Sequence, residues 1–148
     1  MTEPEGPVAR ECVEGYVFAR TPFELLLLRR PPSGDRIWVP VSGKVDPEDR
    51  DLEGALRREL REETGLTDPL AVASLDWHVR FRVPGGEVWR LHAYAVEVAH
   101  RFEPRLSDEH EDWAWVGPDE AVRRLHYPDN REAVGRLARW RAATAGNL

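Results

Sequence analysis

Leu52, Leu56 and Leu60 recur at every fourth residue between Asp51 and Gly65. That spacing predicts an amphipathic helix, with Asp49 or Asp51 as its N-cap and Gly65 where a C-terminal cap glycine belongs. The same stretch, RELREETGL from Arg58 to Leu66, places Glu59, Glu62 and Glu63 within two turns. At about 100° per residue from Leu52, the leucines span 0° to about 80°, with Glu59 at about 340°, Glu63 at about 20° and Glu62 at about 280°. Two of the three carboxylates therefore border or overlap the inward stripe. Arg57, Arg58 and Arg61, between about 140° and 240°, fall on the solvent side or its shoulder. A surface helix laced by ion pairs four residues apart accounts for the arginines. It does not account for Glu59 and Glu63, because half-buried carboxylates without a cation cost stability. Oxygen ligands clustered without His or Cys favour a hard cation such as Mg2+ or Mn2+ over zinc.

Around this helix the chain reads as strands followed by helices, an α+β or α/β sandwich in one domain spanning residues 1–148. Val13 to Ala19 and Glu24 to Arg29 are predicted strands, the second nearly all leucine, as a strand buried on both faces would be. PPSGD, Pro31 to Asp35, is a loop, and Ile37 to Val41 is short and extended. Leu70 to Val83 and Glu87 to Ala99 flank Pro84, Gly85 and Gly86 as a hairpin, and Glu111 to Val116 is a further strand. Helices follow near Pro118 to Leu125 and from about Asp129 to Ala143.

Composition narrows the function. The chain carries a formal net charge of −6 and a single cysteine, Cys12. An acidic balance disfavours a protein that grips nucleic-acid backbone, yet divalent cations let carboxylates hold a polyphosphate. One cysteine excludes an internal disulfide and a cysteine metal cluster, and Cys12 reads as a small buried hydrophobe. The longest apolar run, Leu25 to Leu28, is too short to span a bilayer, and MTEPEGP has no secretory pattern, so a cytoplasmic location is expected.

GKVDPEDRDLEGALRRELREETGL, Gly43 to Leu66, resembles the Nudix box, the signature of hydrolases that cleave nucleoside diphosphates linked to another moiety. Its second half is matched by Arg58, Glu59, Leu60, Glu62, Glu63, Gly65 and Leu66. A chance match at seven such places is on the order of one in ten thousand. The first half departs from the signature. Gly43 and Arg58 are separated by 14 residues, one more than in the box, and Arg50 falls where its first glutamate belongs. Glu48 and Asp49 are the candidates for the missing carboxylate. The resemblance implies an α/β/α sandwich with a mixed sheet, Mg2+ or Mn2+ on Glu59, Glu62 and Glu63, and Arg58 orienting a catalytic carboxylate. In such a site the metal neutralises the pyrophosphate and activates water.

RLSDEHEDWAWV, Arg105 to Val116, resembles a segment of asymmetrical diadenosine tetraphosphate hydrolases and, more loosely, of dihydroneopterin triphosphate pyrophosphatases. It places a Glu-His pair, Glu109 and His110, before Trp113 and Trp115. We expect Glu109 to serve as a further metal ligand or general base, and the tryptophans to pack. WVPVSGKV, Trp38 to Val45, resembles the lead-in to the box in the same groups, although Ser42 stands where the tetraphosphate hydrolases usually carry lysine. Arg36 and Lys44 are candidates for substrate phosphate contact, Gly43 is a further substrate-binding candidate, and Trp38 and Tyr127 are candidates for a base or pocket wall. A dinucleoside polyphosphate is the first expected substrate, with dihydroneopterin triphosphate or a (deoxy)nucleoside triphosphate as alternatives. A non-catalytic nucleotide-sensing module is the rival of another class, and a homodimer is left open.

Overall fold

The computed structural model describes residues 3–145, and the sheet is organised around its first strand. Strand β1, Val8–Ala19, pairs in parallel with β6, Val88–Val98, and antiparallel with both β2, Glu24–Arg29, and β4, Val41–Lys44. Outside β6 lies β5, Ala71–Arg82. Outside β2 lie β3, Trp38–Val39, and β7, Asp112–Val116, which makes seven strands in a mixed sheet. Three helices complete the sandwich: α1, Leu52–Thr64; α2, Pro118–Arg124; and α3, Pro128–Thr144.

Alternation along β1 decides which layer each residue serves. Val13, Val17 and Ala19 face α1 with Leu26, Leu28, Ala55, Leu56 and Leu60. Tyr16 and Phe18 face α2 and α3 with Leu25, Leu27, Ala121, Leu125, Val134 and Leu137. The leucine run of β2 is buried on both faces, as its composition requires. Each fully buried leucine contributes roughly 1.5–3 kcal/mol of transfer free energy, so α1 is held chiefly by Leu56 and Leu60.

Several boundaries differ from the sequence expectation. Strand β1 begins at Val8, because the polar Glu11 is held by Arg90 and His92 of β6. The extended segment before the box is two strands, β3 and β4, parted at Pro40. Helix α3 starts at Pro128, with Tyr127 as its N-cap. The hairpin closes as expected: the Val83 N–H donates to the Glu87 carbonyl (3.0 Å), with Gly85 and Gly86 at its tip. Among the described residues no helix is long and apolar enough to cross a membrane.

Candidate active site

Asp51 caps α1 by accepting the Gly54 N–H at 2.7 Å, and Gly65 ends the helix in the left-handed conformation, φ 78°. Within these limits Glu59 and Glu63, one turn apart, both point inward. Glu59 is 8% exposed and Glu63 only 2%. Glu62 turns outward, its side chain 57% exposed, and rests on Arg58 at 3.2 Å.

Two neighbours define the buried pair. Strand β4 brings Gly43 directly beneath Glu59: a Cβ there would lie 2.1 Å from the Glu59 Cδ, so only glycine leaves room for the carboxylate. Ser42, one residue earlier, supplies a backbone hydrogen bond to Glu63. Burial raises the pKa of both carboxyls. For Glu63 the negative charges of Glu59 and Glu109 add to burial and push it up to about 9. Oε2 of Glu63 is buried with no hydrogen-bond partner.

Arg58 is not a solvent-side arginine. Its side chain is 19% exposed and it organises the turn before the helix. Nε and Nη2 donate to Oδ1 and Oδ2 of Asp49, both at 2.9 Å, and Nη2 also donates to the Lys44 carbonyl at 3.0 Å. Nη1 donates to Glu59 Oε1 at 2.9 Å, which fixes that carboxylate against Gly43. Paired with Arg58, the Asp49 carboxyl is held down at about 2. Asp49 is therefore the carboxylate that takes up the altered first half of the box. The loop folds back so that Asp49 Oδ2 also accepts the Asp46 N–H at 2.7 Å.

On the far side of Glu63 lies the loop before β7. Glu109 is exposed there, close enough for its charge to bear on Glu63, and its N–H donates to Ser107 Oγ at 3.3 Å. His110 is buried, with Nδ1 3.6 Å from Glu63 Oε1 and no hydrogen-bond partner. Burial lowers its pKa to about 4, so the imidazole is neutral near pH 7.

The donor set fits a hard divalent cation. It consists of carboxylate oxygens, it includes a buried oxygen without a partner, and it is cradled where a side chain at position 43 would intrude. Among the described residues no three acidic, histidine or cysteine side chains already converge on one metal-sized point.

The remaining sequence candidates are dispersed. Lys44 leaves β4 with its ammonium 5.1 Å from the Trp89 ring. Arg36 is exposed, 3.9 Å from Glu111 at the end of the Glu109 loop. Trp38 is half-buried against the α2–α3 core, with the guanidinium groups of Arg29 and Arg124 over its ring at 5.5 and 5.2 Å. Tyr127 is exposed and meets His126 edge-on at 4.9 Å. Trp113 and Trp115 pack on the α1 side, as expected.

A family model described as the NUDIX domain matches residues 15–137. The chain belongs to the Nudix hydrolase family. Its members are pyrophosphohydrolases that act on acid anhydrides and generally use a divalent metal. The rat protein named asymmetrical bis(5'-nucleosyl)-tetraphosphatase is 33% identical over 122 residues, covering 77% of this chain and 78% of the rat protein. A Myxococcus xanthus protein named octanoyltransferase is 32% identical over 115 residues, 76% of this chain, which spans only 31% of that protein's length. In fold, the chain superposes on a crystal structure of a C. elegans Ap4A hydrolase binary complex with a TM-score of 0.77. That match has 20% identity and covers 91% of this chain and 99% of the other.

One buried polar group of this Nudix protein lies outside the candidates drawn from the sequence. Glu14 of β1 is buried, accepts hydrogen bonds from the Tyr16 hydroxyl and from Asn130 Nδ2 (3.1 Å), and is raised to about 7 by its burial. Its Cα partner across the sheet is Ser42, so the network lies under the strand that serves Glu63. A lone glutamate between Val13 and Gly15, in an otherwise apolar run, was the available signal.

Proposed function

We propose that this Nudix hydrolase cleaves a pyrophosphate bond in a nucleoside polyphosphate, with Mg2+ or Mn2+ held by Glu59, Glu62 and Glu63. The reading rests on the buried Glu59–Glu63 pair, two carboxylates on one helix face with an unpartnered oxygen, an arrangement whose repulsion a divalent cation relieves. Bound there, the metal neutralises phosphate charge and lowers the pKa of a water. Arg58 keeps Glu59 aimed into the site, and Asp49 keeps Arg58 in place. Glu109, exposed beside Glu63, takes the proton of the attacking water, or alternatively adds a ligand. Lys44 and Arg36 meet the phosphates. Tyr127, and Trp38 where its arginines yield, offer aromatic surface for a heterocycle. Gly43 provides the space in which Glu59 and a phosphate approach the strand.

A dinucleoside polyphosphate is the first substrate to test, supported by the identity shared with the rat tetraphosphatase over more than three quarters of each chain. Ser42, in place of the lysine usual in the tetraphosphate hydrolases, favours the alternative of a nucleoside triphosphate or dihydroneopterin triphosphate. Retention of all three box glutamates speaks against a purely sensing module. The test is phosphate and nucleotide release from a panel of dinucleoside polyphosphates, nucleoside triphosphates and dihydroneopterin triphosphate, with Mg2+ or Mn2+ and with excess chelator. Turnover that survives the chelator overturns the mechanism. Tight nucleotide binding with no turnover of any compound supports the sensing module instead.

A further inference from the structure

Glu63 and His110 come from elements far apart in sequence, yet each presents a buried atom without a hydrogen-bond partner: Oε2 on the carboxylate and Nδ1 on the imidazole. Buried polar atoms in folded proteins are almost always satisfied, so two orphans side by side mark a contact that a ligand completes. Nδ1 stands 3.6 Å from Glu63 Oε1, a few tenths of an ångström beyond a hydrogen bond. His110 is also the fixed point of its loop: its N–H donates to the Ser107 carbonyl at 3.2 Å, and the next residue, Glu111, donates to the Arg29 carbonyl at 2.8 Å. The loop is thus clamped on both sides of a ring that faces Glu63, while Glu109, adjacent in sequence, is left exposed.

We propose that His110 is a positioning residue for the metal site, donating a hydrogen bond from Nδ1 to Glu63 Oε1 when a divalent cation engages Glu63. This rests on the metal reading given above and deepens it. A shift of about half an ångström converts the observed separation into a hydrogen bond. That bond leaves Oε2 free for the cation and fixes the rotamer of Glu63, as partners of ligating side chains do at metal sites. The loop itself is pinned by backbone hydrogen bonds of His110 and Glu111, which leave the imidazole free to turn toward Glu63. His110 itself is no ligand here, since the nitrogen facing the site is the one committed to Glu63.

The test is Mn2+ binding to the full chain without substrate, read by electron paramagnetic resonance of the free ion. His110→Leu, which fills the space but offers no donor, should weaken Mn2+ binding by roughly tenfold to a hundredfold. His110→Asn, whose amide nitrogen falls where Nδ1 stands, should stay within a few fold of the native chain. In a Glu63→Gln background, His110→Leu should cause no further loss, because the partner is already gone. Should His110→Leu fail to fold, Asn and Gln at the same position decide, since Gln carries its donor farther out and should bind Mn2+ more weakly than Asn. Native affinity in His110→Leu, equal affinity in the Asn and Gln variants, or the same loss with and without Glu63 overturns the inference alone. A native chain that binds no Mn2+ overturns the metal reading and the inference with it.

Discussion

Asp49 grips Arg58 with both carboxylate oxygens at 2.9 Å, and the same arginine reaches Glu59 at 2.9 Å. An outer carboxylate thus governs an inner one through a shared guanidinium, with the planar fork geometry that arginine alone provides.

Replacing Asp49 by Ala should therefore release Arg58 and lower kcat/KM by roughly tenfold to a hundredfold through misplacement of Glu59. Glu48→Ala, one position away and outside the pair, should change kcat/KM less than threefold. Steady-state kinetics of the two variants side by side check the assignment, and equal losses would contradict it.

Glu63 and Glu109 should separate kinetically. Glu63→Gln removes the carboxylate that a cation engages, so metal affinity and turnover should fall together, with partial rescue at high cation concentration. Glu109→Gln should leave Mn2+ affinity nearly native and cut kcat by roughly a hundredfold or more, the size of a general-base contribution. Near-normal turnover in Glu109→Gln would place the base within the box.

Cation binding should also appear as stability. At a cation concentration of about 100 Kd the folded chain gains roughly 2.7 kcal/mol, which for a chain of this size raises Tm by several degrees. Glu63→Gln should melt higher than the native chain in chelator, because the raised carboxyl is gone, and should lose most of the Mg2+ response. Differential scanning calorimetry with and without Mg2+ reads both effects.

Gly43→Ala should lower stability by about 1–3 kcal/mol, the usual cost of overpacking, since the new methyl collides with the Glu59 carboxyl. Metal affinity should fall with it, whereas a change at the exposed Lys44 side chain should spare both. Urea denaturation and Mn2+ titration provide the two measurements.

Glu14 makes stability depend on pH. Its carboxyl sits at about 7 in the folded chain, against an ordinary 4.5. Between those values the unfolded chain has lost the proton that the folded chain keeps, so stability falls as pH rises, by up to roughly 3 kcal/mol across the window. Glu14→Gln should flatten that dependence. Asn130 Oδ1, buried without a partner, can accept the new amide N–H if the Asn130 amide turns over. Tm measured from pH 5 to pH 8 in both chains checks the sign.

Much of this was legible in the sequence because it depends on local periodicity. Leucine spacing and caps located α1, and the helical phases of Glu59 and Glu63 placed them inward, as the structure has them. Arg58 sits on the shoulder that its helical phase gives, but a phase gives only an angle. What covers that angle is a loop folding back from Lys44 to Asp49. The same loop decides between Glu48 and Asp49, which spacing left open. His110 reads as part of a polar segment, and its burial comes from clamps to Ser107 and Arg29 that no local pattern records. Trp38 stands in the sequence as a candidate surface for a base. It lies against the core with two arginines over its ring, an arrangement built by β2 and α2.

The parallel ladder between β1 and β6 joins Val8 to Val88 and Ala19 to Val98, residues about eighty positions apart. During synthesis the first strand therefore emerges long before its central partner exists. Helix α1 can form from its own caps within that interval, but the floor on which its leucines rest stays incomplete until residue 98 has left the ribosome. Until then β1 exposes an unpaired edge rich in Val, Phe and Tyr, a template for pairing with other chains. The waiting period is set by topology and translation speed, so slowing elongation before residue 98 has emerged should increase aggregation of the nascent chain, whereas the same pause after residue 98 has emerged should not.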